Sequence, residues 1–323
     1  MRILVAYHIP SSERRTVPWD DGFIAAFRGL EGKWDVSWHN VRVDDPERIG
    51  PIGRYDVVLA KSNWGWIVDR FVRDVFAGSD VRRAIAISGS ARPPSRRGMQ
   101  FYDVLFYETE WYRPQIESHP LIVHAFGVNT DIMNRSVLRT TKRFDWLTVG
   151  SFRRPKRQWL LLDKPGSKAA VGDPHRADPW VLNQLRAGGV TILDYMSHTS
   201  LADLYGSVGT VYIPAETHGG GERAVLEARA CGAAVEVAPD NLKLASLLAG
   251  HTVPSHRDYA DRLVFGLEAA LATPPRDRTT KFRETVLNAV PDPGELRRHL
   301  ARLRDVVTPG RARHEGVASR VEE

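Results

Sequence analysis

The sequence predicts an α/β protein built from two parallel-sheet units that face a central cleft. Three observations carry this expectation. The chain has 323 residues, enough for two ordinary domains. Short apolar runs rich in β-branched residues alternate with amphipathic stretches along most of its length. Finally, a triple glycine at positions 219 to 221 runs directly into a short amphipathic segment, the strand–loop–helix arrangement that places ligands at the carboxyl ends of a parallel sheet.

The first unit reads in order as a strand over Arg2 to Tyr7, a helix over Asp20 to Leu30, and strands over Trp34 to Val41 and Tyr55 to Ser62. A helix around Trp66 to Phe76 follows, then strands over Arg83 to Ser88, Asp103 to Tyr107 and Leu121 to Phe126. Helices between the apolar runs and Pro/Gly/Ser loops argue for crossovers in a mostly parallel sheet. Asn129 to Lys142 is polar and lacks a clear period, so the linker is expected at 131–142, after a first domain at 1–130. The second series has strands at Phe144 to Val149, Ala169 to Asp173, Val190 to Leu193, Val211 to Pro214 and Ala233 to Val237, with a helix over Ser200 to Tyr205 and another after the glycines. This second domain is expected to span 143–275. Its later helix runs from Tyr259 to Ala272. Further helices are expected within 276–307, packing back on the first domain, and 308–323 reads as a frayed tail of low apolar content.

Composition narrows the classes. At 42% hydrophobic and 26% charged residues the chain reads as a globular protein rather than a disordered one. No run of about 18 apolar residues suggests a membrane span, and the apolar N-terminus breaks at His8 and Pro10, too early for a signal peptide. A cytoplasmic protein is expected, with peripheral membrane contact left open. The single cysteine, Cys231, excludes an internal disulfide and argues against a cysteine-rich zinc site. The net charge of +6 favours anionic partners: nucleotide phosphates, nucleic acid or acidic lipid.

The segment from Gly219 to Gly232 suits a phosphate. Glycines allow close backbone approach, and the first turn of the helix behind them presents unpaired N–H groups and a partial positive charge. Arg153, Arg154 and Lys156 supply cations on a loop after a strand, where a diphosphate leaving group needs them.

Four passages, in order, resemble the retaining GT-B glycosyltransferases of family 4, also called group 1. Gly127-Val128-Asn129-Thr130-Asp131-Ile132-Met133 is similar to the connector between that family's domains. Val149-Gly150-Ser151-Phe152 through Lys156 resembles the strand and loop facing the donor diphosphate. Leu201-Ala202-Asp203-Leu204-Tyr205 followed by Val211-Tyr212-Ile213-Pro214 resembles the Leu-x-x-Leu-Tyr … Pro-Ser passage, and Leu226-Glu227-Ala228-Arg229-Ala230-Cys231-Gly232-Ala233-Ala234-Val235 resembles the Leu-Glu-Ala-Met-Ala-Cys-Gly-x-Pro-Val block. The resemblance covers about residues 124 to 239. It implies two Rossmann-like domains in GT-B architecture, with the nucleotide-sugar donor bound mainly to the second and the acceptor to the first.

Departures from the family pattern are specific. The first carboxylate of the family's Glu-x7-Glu motif would fall at position 219, which is Gly219, and the arginine expected after Gly150 is Ser151. The resemblance implies that Glu227 accepts the ribose hydroxyls and that Lys156 carries diphosphate charge. Arg153 or Arg154 can substitute for the missing arginine, and Glu216 and Glu222 compete for the vacant carboxylate role, which in the family contacts hydroxyls of the donor sugar, Glu222 lying nearer the helix start. The predicted set is therefore Lys156, Arg153 and Glu222 as catalytic, with Gly150, Ser151, Arg154, Gly219, Gly220, Gly221, Arg223 and Glu227 binding the donor. No metal site or cofactor is expected beyond the donor itself. Toward the cleft from the first domain lie His8, Asp20, Asp21, Ser88, Gly89, Ser90 and Arg92, with Glu108 and Glu110 as further candidates. Trp19, Trp64, Trp66, Trp111 and Tyr112 read first as packing, some as lining an acceptor groove.

The resemblance thus implies transfer of a sugar, of hexosyl type, from a nucleotide diphosphate donor with retention and without an essential metal. Glycan, protein, small molecule and nucleic acid remain open as acceptor. Rival readings are a nucleotide-sugar-binding relative that has lost turnover, and a protein acting on nucleic acid.

Overall fold

The computed structural model describes residues 1–8, 20–61, 66–89, 92–250 and 252–273. Six strands form the first sheet: β1 (Arg2–Tyr7), β2 (Asp35–Asn40), β3 (Val57–Lys61), β4 (Arg82–Ile87), β5 (Val104–Tyr107) and β6 (Ile122–His124), in the order β2-β1-β3-β4-β5-β6 and parallel throughout. The central strands β3, β4 and β5 are buried along their whole length, as expected of strands covered on both faces. One face packs helix α2 (Ile67–Phe76) through Val68, Phe71, Val72 and Phe76. The other packs α1 (Gly22–Arg28). Two short helices, α3 (Arg96–Met99) and α4 (Arg113–Ile116), complete the connections; neither is long enough to announce itself by periodicity.

The second sheet holds β7 (Phe144–Val149), β8 (Lys168–Val171), β9 (Thr191–Leu193), β10 (Val208–Ile213) and β11 (Ala234–Val237), parallel in the order β11-β10-β7-β8-β9. The chain runs outward from β7 to β9 and then returns to the other side of β7, so the topological switch lies between β7 and β10. A parallel sheet opens its ligand crevice there, beyond the carboxyl ends of those two strands. Helices α5 (Pro179–Ala187), α6 (His198–Gly206), α7 (Glu222–Ala230) and α8 (Leu242–Ser246) cover the sheet. Helix α5 was not among the expected elements, although Asp178 caps it and Pro179 stands at its first position.

One expectation is corrected. The helix expected to close the second domain, α9 (His256–Ala272), packs instead on the first sheet: Tyr259, Leu263, Leu267 and Ala270 lie among Phe23, Phe106 and Val123. Its apolar stripe announces a buried face, but nothing in a stripe says which sheet will cover it. The helices expected within 276–307 and the tail fall outside the described residues.

Among the described residues two chain crossings therefore join the units, and they run side by side. Val128 N–H donates to Pro254 O at 2.9 Å, and a Cβ on Gly127 would stand 2.0 Å from Ser255 O. Asp131 pairs with Arg257 at 2.7 Å across the same junction. Among the described residues, no helix is long and apolar enough to cross a membrane.

Candidate functional site

Helix α7 forms the floor of the crevice. Val225, Leu226 and Ala228 are buried and hold it on the second sheet, while its N-terminus points past the end of β10. The N-cap is Gly221 at φ +116°, and Gly220 has φ +73°, so both occupy backbone conformations that strain any side-chain-bearing residue. Gly221 offers no side-chain acceptor, which leaves the first N–H groups of α7 free for an anion. Gly219 answers a different demand: a Cβ there would lie 2.2 Å from Pro155 O. Glu216 N–H also donates to Pro155 O, at 2.9 Å, so the glycine loop and the loop after β7 are laid against each other.

That second loop starts at Gly150, whose carbonyl accepts from Gln158 Nε2 at 3.1 Å. Ser151 is exposed. The loop is clamped by Arg157, which sequence reasoning passed over within a basic run: its guanidinium is bidentate to Asp240 at 2.7 Å and donates to Pro214 O at 2.8 Å. With Arg157 fixed at φ +48°, Lys156 folds back toward Gly150. Burial pushes the Lys156 ammonium below its ordinary pKa; Glu222 opposes that, while Lys243 and Arg223 add to it. Those three side chains therefore share one electrostatic locus with Lys156 at the head of α7. Arg153 is exposed, and Arg154 turns to Asp178 at 3.1 Å and lies over the Trp180 ring, on the outer side of the loop. Neither faces the locus as Lys156 does.

The carboxylates divide in a way the sequence left open. Glu216 is exposed. Glu222 is 4% exposed and forms an ion pair with Lys243, a fully buried residue on α8. Glu227, also 4% exposed, lies one turn beyond Arg223. Burial pushes its carboxyl up to about 8; Arg223 pulls against this and Asp21 adds to it. His198 Nε2 is 3.9 Å from Glu227, beyond hydrogen-bond reach, and burial lowers the imidazole pKa, so the pair is better described as a neutral imidazole beside a protonated acid than as an ion pair.

The first domain meets this locus directly. Asp21 caps α1 through its Oδ1, which accepts from Ile24 N–H at 3.0 Å, and its Oδ2 pairs with Arg223 Nη1 at 2.6 Å. Burial is the largest single influence on Arg223 and lowers its pKa, but Asp21, Glu108 and Glu227 together outweigh it and hold the guanidinium above its usual range. Gly89, at the end of β4, seats the contact: its carbonyl accepts from Lys243 Nζ at 2.9 Å and from Tyr112 Oη at 2.7 Å, and its N–H donates to Glu108 at 3.1 Å. Glu108 in turn pairs with buried Lys61. A Cβ on Gly89 would lie 2.3 Å from the Glu222 carboxyl carbon, so a side chain at position 89 would have to displace the Glu222 carboxylate or part this closed arrangement.

Other candidates scatter. Asp20 pairs with Arg28 at 2.7 Å. Glu110 interacts with Arg113 and His124 beside β6. Burial lowers the His8 pKa, and Arg42 from the first unit and Arg176 from the second both lower it further, so His8 feels cations from both units and not the groups around Lys156. Tyr112 is buried, Trp111 is 39% exposed, and Trp66 caps α2. Ser90, Trp19 and Trp64 fall outside the described residues. Lys243 and His198 were missed; a lone lysine in the run Asn241-Leu242-Lys243-Leu244 was the one available signal, since charge inside an apolar stretch needs a partner.

No protein-family model and no curated protein sequence matches the chain. Solved structures do. A sucrose-phosphate synthase from Thermosynechococcus elongatus superposes with a TM-score of 0.55 at 14% identity, over 94% of this chain and all of that one. AviGT4, a glycosyltransferase involved in avilamycin A biosynthesis, gives 0.58 at 14% identity, over 84% of this chain and 98% of its own. The fold is that of the GT-B glycosyltransferases. An α-glucosyltransferase in complex with UDP and a 13-mer DNA is also similar, at a TM-score of 0.51 and 11% identity, over 89% of this chain and 94% of that one. These identities establish shared architecture; the chemistry rests on the site.

Proposed function

We propose that the protein transfers a sugar from a nucleotide diphosphate donor to an acceptor held by the first domain. The observation that carries this reading is Lys156. Arg223 and Lys243 each have a carboxylate partner, whereas Lys156, among the described residues, has none and sits at the sheet's switch point before the open head of a nine-residue helix. A cation held partly out of water without a counter-ion favours an incoming anion, and a diphosphate is the anion that would draw on both Lys156 and the α7 amides.

In this reading the donor ribose lies on Glu227, and Lys156 with the helix N-terminus stabilises the charge that develops on the departing diphosphate. These fixed dipoles and charges need no metal for that task. Retention follows if the departing phosphate takes the acceptor hydroxyl's proton on the face it leaves, which requires no protein nucleophile. The similar proteins include sugar transferases and one structure with UDP and DNA bound, which keeps nucleic acid among the acceptors, alongside glycans, proteins and small molecules; the net charge of +6 points the same way. A steep loss of DNA affinity with salt distinguishes that choice.

The test is a melting-temperature series with a panel of nucleotide sugars, followed by donor consumption in the presence of candidate acceptors, with Lys156→Ala and Glu227→Ala as controls. A ligand that binds only the native state raises the melting temperature. Stabilisation lost in both variants supports the reading. Stabilisation without turnover toward any acceptor identifies a nucleotide-sugar binder instead, and no stabilisation by any donor overturns the donor site.

A further inference from the structure

Serine stands at position 151 and Arg154 turns outward to Asp178, so the loop after β7 brings one cation, Lys156, to the head of α7. A diphosphate carries about two negative charges in a donor, and one ammonium does not balance them. Lys243, on α8, is 0% exposed, although Leu244 already anchors that five-residue helix in the second core. Burying an ammonium is among the most unfavourable things a fold can do, and it calls for a reason beyond packing. Among the described residues its ammonium meets the Glu222 carboxylate and Gly89 O, and Lys156 lies within the field of both members of the pair. Glu222, for its part, is the first residue of α7, where the helix dipole favours an anion.

We propose that Lys243 is a second diphosphate-binding residue and that Glu222 is its internal counter-anion, occupying the phosphate's place until a donor arrives. This inference rests on the donor site described above. It follows from charge: Asp21 balances Arg223, Glu222 balances Lys243, and Lys156 is left over. A diphosphate that displaces Glu222 meets two free ammonium groups; one that leaves Glu222 in place meets a single one and a neighbouring carboxylate. Gly89 covers the pair, so the donor enters while the two sheets are parted. On closure Lys243 can then bridge the diphosphate and Gly89 O, tying the acceptor domain to the loaded donor domain.

The assignment separates sharply from a sugar-binding role for Glu222. An acceptor of sugar hydroxyls matters to a nucleotide sugar and not to a nucleoside diphosphate or to pyrophosphate. A counter-anion opposes all three. Calorimetric titration of the full chain with inorganic pyrophosphate, UDP, ADP and GDP decides the matter. Glu222→Gln is expected to tighten pyrophosphate and the preferred nucleoside diphosphate about tenfold, and Lys243→Met to weaken them by a similar factor, the scale of one charge-assisted hydrogen bond. Lys243→Arg should restore binding. If Lys243→Met does not fold, the double variant Glu222→Gln, Lys243→Met removes both charges together and should bind about tenfold more weakly than Glu222→Gln alone. Binding that is indifferent to positions 222 and 243, or weakened by Glu222→Gln, overturns this inference and leaves the donor site standing. Failure of the wild type and of Glu222→Gln to bind any nucleoside diphosphate overturns both.

Discussion

Glu227 offers the sharpest quantitative test. The carboxyl is buried in the second turn of α7, with the nearest guanidinium, Arg223, already held by Asp21 at 2.6 Å. Burial raises its pKa from 4.5 to about 8, so between those pH values the folded protein keeps a proton that the unfolded chain has released. Folding stability then falls as pH rises through that window, because the native state binds more protons than the unfolded one. At about 1.4 kcal/mol per pH unit the whole interval corresponds to roughly 5 kcal/mol, an upper bound since local relaxation and water entry will reduce it. Glu227→Gln keeps the shape and a hydrogen-bonding group but cannot ionise. Its denaturant midpoint, measured against wild type from pH 5 to pH 8.5, should therefore move progressively upward relative to wild type, with the gap widest at the alkaline end. Parallel midpoints across the range refute the burial argument. Parallel midpoints with the variant uniformly less stable would mean that Glu227 is already ionised and paired in the native state, with Arg223 released from Asp21.

The remaining expectations use the same locus. If the ribose hydroxyls need the ionised Glu227 carboxylate, nucleotide affinity should increase from pH 6.5 to pH 8.5 in wild type and stay level in Glu227→Gln; calorimetry at several pH values checks this. Asp21→Asn retains the α1 cap, because asparagine caps as well as aspartate, but loses the charge opposite Arg223; denaturation should show a loss of about 1–3 kcal/mol, with Asp21→Ala losing about 1 kcal/mol more. Gly89→Ala sets a methyl against the Glu222 carboxyl and should part the domains, read as a larger radius of gyration in small-angle scattering and weaker donor protection; unchanged scattering would count against the closed contact. Arg154→Ala should leave nucleotide affinity unchanged, since the guanidinium is engaged with Asp178 and Trp180, and a large loss there would return Arg154 to the donor site.

How much of this was legible in the chain depends on the range of the interaction. Strands such as Arg2–Tyr7 and Phe144–Val149 are apolar runs whose burial is written locally, and Gly219 to Gly221 announce a tight loop, Gly220 and Gly221 by their positive φ and Gly219 by the lack of room for a Cβ. Glu227 and Lys156 stood out by resemblance and by their place beside that loop. What stayed hidden was pairing across sequence distance. Helix α9 shows a stripe but not its partner sheet. Arg153, Arg154, Lys156 and Arg157 are nearly equivalent as letters; Asp178 draws off Arg154 and Asp240 fixes Arg157, and those partners lie 24 and 83 residues away.

The same reasoning explains why Glu222 was read as a sugar ligand. A carboxylate at a helix start beside a phosphate loop has two physically sound uses: to accept ligand hydroxyls, or to stand in for the ligand's charge. Local sequence favours neither. The choice is made by Lys243, 21 residues on, because an ammonium that is fully buried must keep an anion within reach in every state the protein occupies. Without donor the anion is Glu222; with donor a phosphate oxygen can serve, and the carboxylate is released to water at the cleft's edge. A buried pair of this kind adds little to stability relative to apolar side chains of the same volume, so its worth lies in the exchange. That makes Glu222→Gln with Lys243→Met informative beyond binding: the neutral pair should fold at least as stably as wild type while binding pyrophosphate more weakly than Glu222→Gln. A double variant that is much less stable than wild type would show the ion pair to be structural after all.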